Sequence, residues 1–299
     1  AIRANSLAKG ASGIRVEVVQ TLLDLINHGH APVVPSIGSL GASGDLAPLA
    51  HMAMSLIGEG RFQSRIGGQW ADSETEAVFS DIGREPVVLE AKEGLSLING
   101  TSQMCSYLAE ACSLATKLCD AADAACAMSV EAIAGSHTPF DPRIHEIRHQ
   151  VGQGRSASRI MGHLKSSEIK ESHADCERVQ DAYSFRCAPQ VHGAVLDVLD
   201  HVTNVVISDA NSATDNPLIV PDGEGGYDVL SGGNFHGEPL ALSADSLASA
   251  LHELCSISER RSNQVLTPHW SGLPAFLARN GGLESGLMIL QYVSCLLYT

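Results

Sequence analysis

The chain has 299 residues, 44% of them hydrophobic, enough to bury a sizeable core and to exclude a disordered protein. Its 19 basic and 34 acidic residues leave a formal charge of -15, which repels phosphate backbones and excludes nucleic acid as an expected partner. No stretch reaches the roughly eighteen consecutive apolar residues that span a bilayer, and residues 1–10 lack the apolar core of a signal peptide, so no membrane partner and a soluble, cytoplasmic protein are expected.

In chain order, Ile14, Val16, Val18, Val19, Leu22, Leu23, Leu25 and Ile26 recur at helical spacing and predict an amphipathic helix that Gly29 ends. Leu46, Leu49, Ala50, Ala53, Leu56 and Ile57 predict a second helix, opened by Asp45, with Pro48 tolerable in its first turn. Residues 61–70 carry Gly67-Gly68 between half-apolar runs and read as a β-hairpin. Residues 103–134 are rich in Ala and free of Gly and Pro, the composition of a long helix. Within it Cys105, Cys112, Cys119 and Cys126 recur every seven residues. A seven-residue step drifts only about 20° on a helix, so all four share one face. The first and last are nonetheless about 31 Å apart at 1.5 Å per residue, too far to share a metal ion. They read as small buried residues at a helix contact, kept as reduced thiols. Residues 191–210 and 239–266 predict two more long helices, and Gly286 begins another. Leu218-Ile219-Val220 and Tyr227-Asp228-Val229 predict a second hairpin, and two polar loops, 178–190 and 231–238, carry dense chemistry. The expected fold is mainly α, a long-helix bundle with short β-hairpins and functional loops at helix ends. Without an internal repeat or linker, residues 1–299 read as a single domain. The chain opens on Ala1 and stops at Thr299 inside an apolar stretch, so a partial domain, the central part of a longer chain, is expected.

The most informative run is Gly38-Ser39-Leu40-Gly41-Ala42-Ser43-Gly44-Asp45-Leu46-Ala47-Pro48-Leu49-Ala50-His51. It fits neither the dinucleotide fingerprint nor the serine-hydrolase elbow. Ala42-Ser43-Gly44 has the parts for backbone cyclisation: the Gly44 nitrogen is unhindered and can approach the Ala42 carbonyl. Dehydration of that ring and of Ser43 would leave a methylene conjugated to a carbonyl, an electrophile that no unmodified side chain supplies. A helix starting at Asp45 would point its positive end at the ring. On composition alone the plain reading, a glycine-rich loop capping a helix, is the stronger. Further along, Gln180, Tyr183 and Arg186 recur every third residue, so one helical turn would put all three on one side. A guanidinium at Arg186 can grip a carboxylate through two parallel hydrogen bonds. Taken singly, Asn99 before Gly100 reads equally as a turn residue, Phe235 as a core aromatic, and Arg186 as a surface charge paired with Asp181. His51, His192 and His236 have no metal-ligand spacing and read as structural, so no metal is expected.

The run 38–51 resembles the signature of the aromatic amino-acid ammonia-lyase and aminomutase family. Further matches follow in the family's order: Leu97-Ile98-Asn99-Gly100-Thr101, Val179-Gln180-Asp181-Ala182-Tyr183-Ser184-Phe185-Arg186, Asn211-Ser212-Ala213-Thr214-Asp215-Asn216-Pro217 and Ser231-Gly232-Gly233-Asn234-Phe235-His236. Ser258-Glu259-Arg260-Arg261 and Gly272-Leu273-Pro274-Ala275-Phe276-Leu277 complete the series, and the resemblance covers essentially the whole chain. Within the family, Ser167-Glu168-Ile169, Ser172-His173 and the segments around Gln180 and Ser231 are most similar to histidine ammonia-lyases. The resemblance implies deamination of L-histidine to trans-urocanate and ammonia, with a methylidene-imidazolone (MIO) group formed from Ala42, Ser43 and Gly44 and no external cofactor. It implies that Arg186 anchors the substrate carboxylate, that Gln180 and Asn99 orient the amino acid, that Tyr183 positions or activates the prosthetic group, and that Phe235 shapes the pocket. It also implies a homotetramer whose sites draw on several subunits. The family's base-bearing tyrosine and a substrate-binding histidine precede the matched region, and an active-site glutamate follows it, so residues 1–299 alone are expected to be inactive. Glu284 stands where family members usually have Asn. The rival readings are a phenylalanine or tyrosine ammonia-lyase or aminomutase of the same family, and a non-catalytic helical scaffold; the retained Ala42-Ser43-Gly44 and Arg186 speak against the scaffold.

Overall fold

The structure is a computed structural model that describes residues 1–41, 44–172 and 179–297. They form two compact units, Ala1–Glu110 with Asn204–Leu242, and Ala111–Thr203 with Ser243–Thr299.

The first unit begins with α1 (Ile2–Leu7), α2 (Val16–Asn27), β1 (His30–Pro32) and α3 (Leu46–Leu56). Next come β2 (Phe62–Ile66), β3 (Gln69–Ser73), α4 (Thr75–Ile82), α5 (Glu93–Ile98) and the start of α6 (Ser102–Ala132). The expected first hairpin is β2 with β3, paired antiparallel from Phe62 opposite Ser73 to Ile66 opposite Gln69. Gly67 and Gly68 form its two-residue turn at φ +58° and +85°, the positive pair that such a turn needs. Three-residue β1 pairs with the other edge of β2; it is too short, and ends on Pro32, so it does not show in the sequence pattern. Leu22 and Leu25 of α2 bury with Leu56, Phe62, Phe79 and Leu97 in one core, the inward faces that the spacing of apolar residues predicts. The second expected hairpin is β4 (Leu218–Pro221) with β5 (Tyr227–Leu230).

The second unit holds α7 (Pro142–Glu146), α8 (Val151–Leu164), α9 (Glu168–Ser172) and α10 (Tyr183–Arg186), most of α6 and of α11 (Ala188–Ala210), most of α12 (Glu238–Leu266), and α13 (Pro268–Ser271) and α14 (Met288–Leu297). Its core joins Cys126, Val130, Phe140, Ile160, Leu164 and Phe185. The long helices fall where Ala-rich and periodic segments predict them, and the fold is mainly α with two small antiparallel sheets. Helix α8 has no counterpart in the sequence reading, because Gly152 and Gly154 count against a helix interior. Gly152 serves instead to bring α8 against α11: a Cβ there would run into the carbonyl oxygen of Gly193. Cys105, Cys112, Cys119 and Cys126 are all buried and none is in a disulfide. Among the described residues no helix is long and apolar enough to cross a membrane.

Candidate active site

Ala42 and Ser43 lie outside the described residues, and their neighbours define the run on either side. The Leu40 amide donates to the Gly44 carbonyl at 2.9 Å, joining the two flanks. Gly44 sits at φ +69°, and a Cβ there would lie 2.5 Å from Met104 Sδ and 3.2 Å from Ser39 Oγ. A left-handed residue in a space that a methyl group would overfill calls for glycine, and the absence of a side chain leaves its own nitrogen unhindered for backbone cyclisation. Asp45 is at the N-cap of α3, but its side chain makes no cap there. Its carboxylate, 0% exposed, instead accepts the Gln103 and Met104 amides of α6 at 2.7 and 3.0 Å. One acidic side chain thus caps the helix 58 positions downstream and ties the glycine run to it. Burial pushes the Asp45 carboxyl up, against the pull of those two amides.

In the same unit Asn99, buried at the C-terminal end of α5, donates its side-chain amide to the Asn216 carbonyl at 3.1 Å. The Asn216 side-chain oxygen accepts the Gly232 amide at 2.6 Å and the Ser231 hydroxyl at 3.4 Å. Asn216 therefore joins Asn99 to the 231–237 loop, in which Phe235 is half-buried and His236 accepts the Glu238 amide through Nδ1 at 3.2 Å.

In the second unit the polar loop at 178–190 is not all loop: beyond the undescribed Arg178 it holds the single turn of α10 and the first turn of α11. Tyr183 and Arg186 share α10, whereas Gln180 precedes it in non-helical backbone. The three are therefore not on one continuous turn as the spacing predicts; Ala182 is the N-cap, so the helix starts too late to include Gln180. Gln180 lines a cavity of ≈ 150 Å³ with Gln264, His269 and Trp270. Tyr183 is 70% exposed, and the Arg186 guanidinium carbon lies 4.4 Å from the centre of its ring, a cation–π contact that fixes the flat face of the cation. Arg186 Nε is buried with no hydrogen-bond partner among the described residues. Asp181, the carboxylate that closeness in the chain would pair with Arg186, accepts the Ser136 amide at 2.7 Å. A guanidinium with a buried donor unused is suited to receive a carboxylate.

The candidate residues thus divide: Gly44, Asn99 and Phe235 belong to one unit, Gln180, Tyr183 and Arg186 to the other. A larger cavity of ≈ 620 Å³, lined by Phe140, His145, His149 and Met161, contains none of them. No group of His, Cys, Asp or Glu among the described residues could hold a metal ion. Glu284 lies at the surface, where its carboxylate accepts the Asn280 side-chain amide at 2.9 Å, which lowers its pKa. The supporting contacts of two residues, Asp45 and Asn216, escaped the sequence reading. The partners of Asp45 are 58 and 59 positions away, and Asn216 was read only as part of the 211–217 family motif, 117 positions from Asn99, so no local signal pointed to either role.

A family model described as aromatic amino acid lyase matches residues 1–298. The chain belongs to the aromatic amino acid lyase family. Among curated members of that family it is 52% identical over 298 residues to the histidine ammonia-lyase of Deinococcus radiodurans, covering 99% of this chain and 55% of that one. It is 49% identical over 296 residues to the histidine ammonia-lyase of Myxococcus xanthus, covering 99% and 57%. The crystal structure of histidine ammonia-lyase from Trypanosoma cruzi matches with a TM-score of 0.85 at 43% identity, over 99% of this chain and 54% of that chain. The chain therefore spans a little over half the length of these lyases.

Proposed function

We propose that the protein containing this chain is a histidine ammonia-lyase that converts L-histidine to trans-urocanate and ammonia, with residues 1–299 forming part of a single lyase domain. The observation that carries this reading is identity of about half over 99% of the chain to curated histidine ammonia-lyases. The MIO group would come from Ala42, Ser43 and Gly44, and a position 44 that only glycine suits, hydrogen-bonded through its carbonyl to the Leu40 amide, supports that origin. Once formed, the group supplies an electrophilic methylene that turns the substrate amine into a leaving group.

The chain's own residues bind and orient the substrate. Arg186, its flat face held by Tyr183 and one buried donor unused, receives the carboxylate through parallel hydrogen bonds. Gln180 and Asn99 orient the amino acid with neutral hydrogen bonds, which leave its charge pattern unchanged while fixing its position. The exposed Tyr183 hydroxyl donates a hydrogen bond near the reacting atoms, and Phe235 packs on the apolar side of the pocket. A carbon-bound proton as weakly acidic as the one lost requires the departing amine and the base to be aligned together. The complete enzyme is proposed to be a cytoplasmic homotetramer.

The test is intact mass and peptide mapping across residues 38–51 of the protein expressed from its complete gene, with urocanate formation followed by absorbance. Loss of two waters confined to Ala42-Ser43-Gly44, together with urocanate from L-histidine, is the expected result. An unmodified peptide would overturn the prosthetic group, and faster turnover of phenylalanine or tyrosine would overturn the substrate.

A further inference from the structure

The four-residue helix α10 is too short to hold its own shape, since an isolated turn fixes several dihedrals for very few hydrogen bonds. Phe185 anchors it by burial in the core of its unit, but one apolar side chain does not set the rotation of the turn. A buried polar chain also reaches its backbone. Arg261 of α12, 3% exposed, donates through Nε to the Ser184 carbonyl, between Tyr183 and Arg186, at 3.0 Å. Its Nη2 reaches His192 Nε2 on α11 at 3.1 Å. His192 Nδ1 lies 2.8 Å from Asp123 Oδ1 on α6, and the Ser156 hydroxyl of α8 donates to the same oxygen at 2.6 Å.

The direction of every bond in this chain is determined. A guanidinium only donates, so His192 Nε2 must accept, which places the imidazole proton on Nδ1, facing the carboxylate. His192 is therefore neutral, in keeping with burial lowering its pKa against the opposing pull of Asp123. Arg261 is likewise lowered by burial. A buried cation of this kind is a weak source of stability, because desolvation offsets most of its attraction to a carboxylate. Its planar pair of donors, by contrast, fixes geometry, and geometry is what a carboxylate-binding turn requires.

We propose that Arg261 is a positioning residue: by holding the Ser184 carbonyl against His192 and Asp123, it sets the rotation of the Tyr183–Arg186 turn and so aims the Arg186 guanidinium at a substrate carboxylate. This rests on the reading of Arg186 as the carboxylate anchor and not on which aromatic ring the enzyme accepts. Arg261→Lys keeps the positive charge and removes the planar fork.

The experiment uses the protein from the complete gene and unreactive ligand pairs that differ only in a carboxylate: imidazolepropionate against ethylimidazole, and phenylpropionate against ethylbenzene. Calorimetric titration gives the affinity ratio within each pair. In Arg261→Lys the ratio falls about tenfold for the pair that the wild type prefers, the size of one misaligned charge-assisted hydrogen bond. The affinity for the carboxylate-free ligand stays unchanged. An unchanged ratio, or equal loss of both affinities, would overturn the proposal, since a merely structural role moves both together. Should Arg261→Lys fail to fold, the nitrogen chemical shifts of His192 in the wild type decide: a proton on Nδ1 supports the chain of bonds, and a proton on Nε2 or a charged ring refutes it. Preference for phenylpropionate with a tenfold fall in that pair would support Arg261 and overturn only histidine as the substrate.

Discussion

Replacing Glu93 by Gln tests how the structure holds Asn99 in place, because Glu93 opens α5 and Asn99 ends it. The buried Glu93 carboxylate accepts the Arg15 amide at 3.0 Å, Arg15 Nε at 2.8 Å, Arg15 Nη2 at 2.8 Å and the Glu90 amide at 2.7 Å. Chiefly through the Arg15 side chain, this holds its pKa at about 2, against roughly 4.3 for a free glutamate. Two units and a fraction correspond to at most about 3 kcal/mol at ~1.4 kcal/mol per unit. The Arg15 side chain is 37% exposed, so solvent screening reduces the expected loss in Glu93→Gln to about 1.5–2 kcal/mol. The folded pKa lies below the unfolded one, so this contribution is complete above about pH 4.3 and fades as the pH falls toward about 2. Urea unfolding of wild type and variant at pH 7 and pH 3 should therefore show a gap that shrinks by half or more at the lower pH. An equal gap at both values would refute the charge as its source and leave only packing.

Gly44→Ala should cost about 1–2 kcal/mol of stability for a side chain in left-handed backbone, with Met104 displaced. It should also abolish the loss of two waters from residues 42–44; an intact-mass spectrum showing both waters gone in the variant would count against a role for the unhindered nitrogen. At Gly193 a Cβ would run into the backbone of Gln153. Gly193→Ala should then lower the thermal midpoint, because roughly 1–3 kcal/mol of overpacking outweighs the ~1 kcal/mol gained in helix propensity; a raised midpoint would show that α8 and α11 separate freely. Burial pushes the Cys119 and Cys126 thiols up to about 11, so at pH 8 a disulfide reagent should label exposed Cys255 first and reach those two only on unfolding. Labelling of all three at equal rates would contradict that burial.

Much was legible from sequence because it depends on local pattern. The long helices follow from apolar periodicity and from segments without Gly or Pro, and the Gly67-Gly68 turn from two residues that alone accept positive φ without strain. The four-cysteine face and its burial follow from a seven-residue step on a 3.6-residue helix. The motifs around Gly44, Asn99, Tyr183 and Phe235 were legible as a family signature, and the match over residues 1–298 agrees with them. What the sequence could not decide were interactions whose partners are distant in the chain. Asp45 occupies the N-cap of its own helix, yet its carboxylate is bonded to the start of α6. Gln180 keeps the spacing of Tyr183 and Arg186 but falls outside their turn, because spacing does not say where a helix begins. Gly152 counts against a helix by propensity, yet α8 includes it, because contact with α11 requires a residue without a side chain there. Local preference is an energy of tenths to about one kcal/mol per residue; a buried carboxylate or a backbone clash is larger, and only the folded chain determines which groups meet.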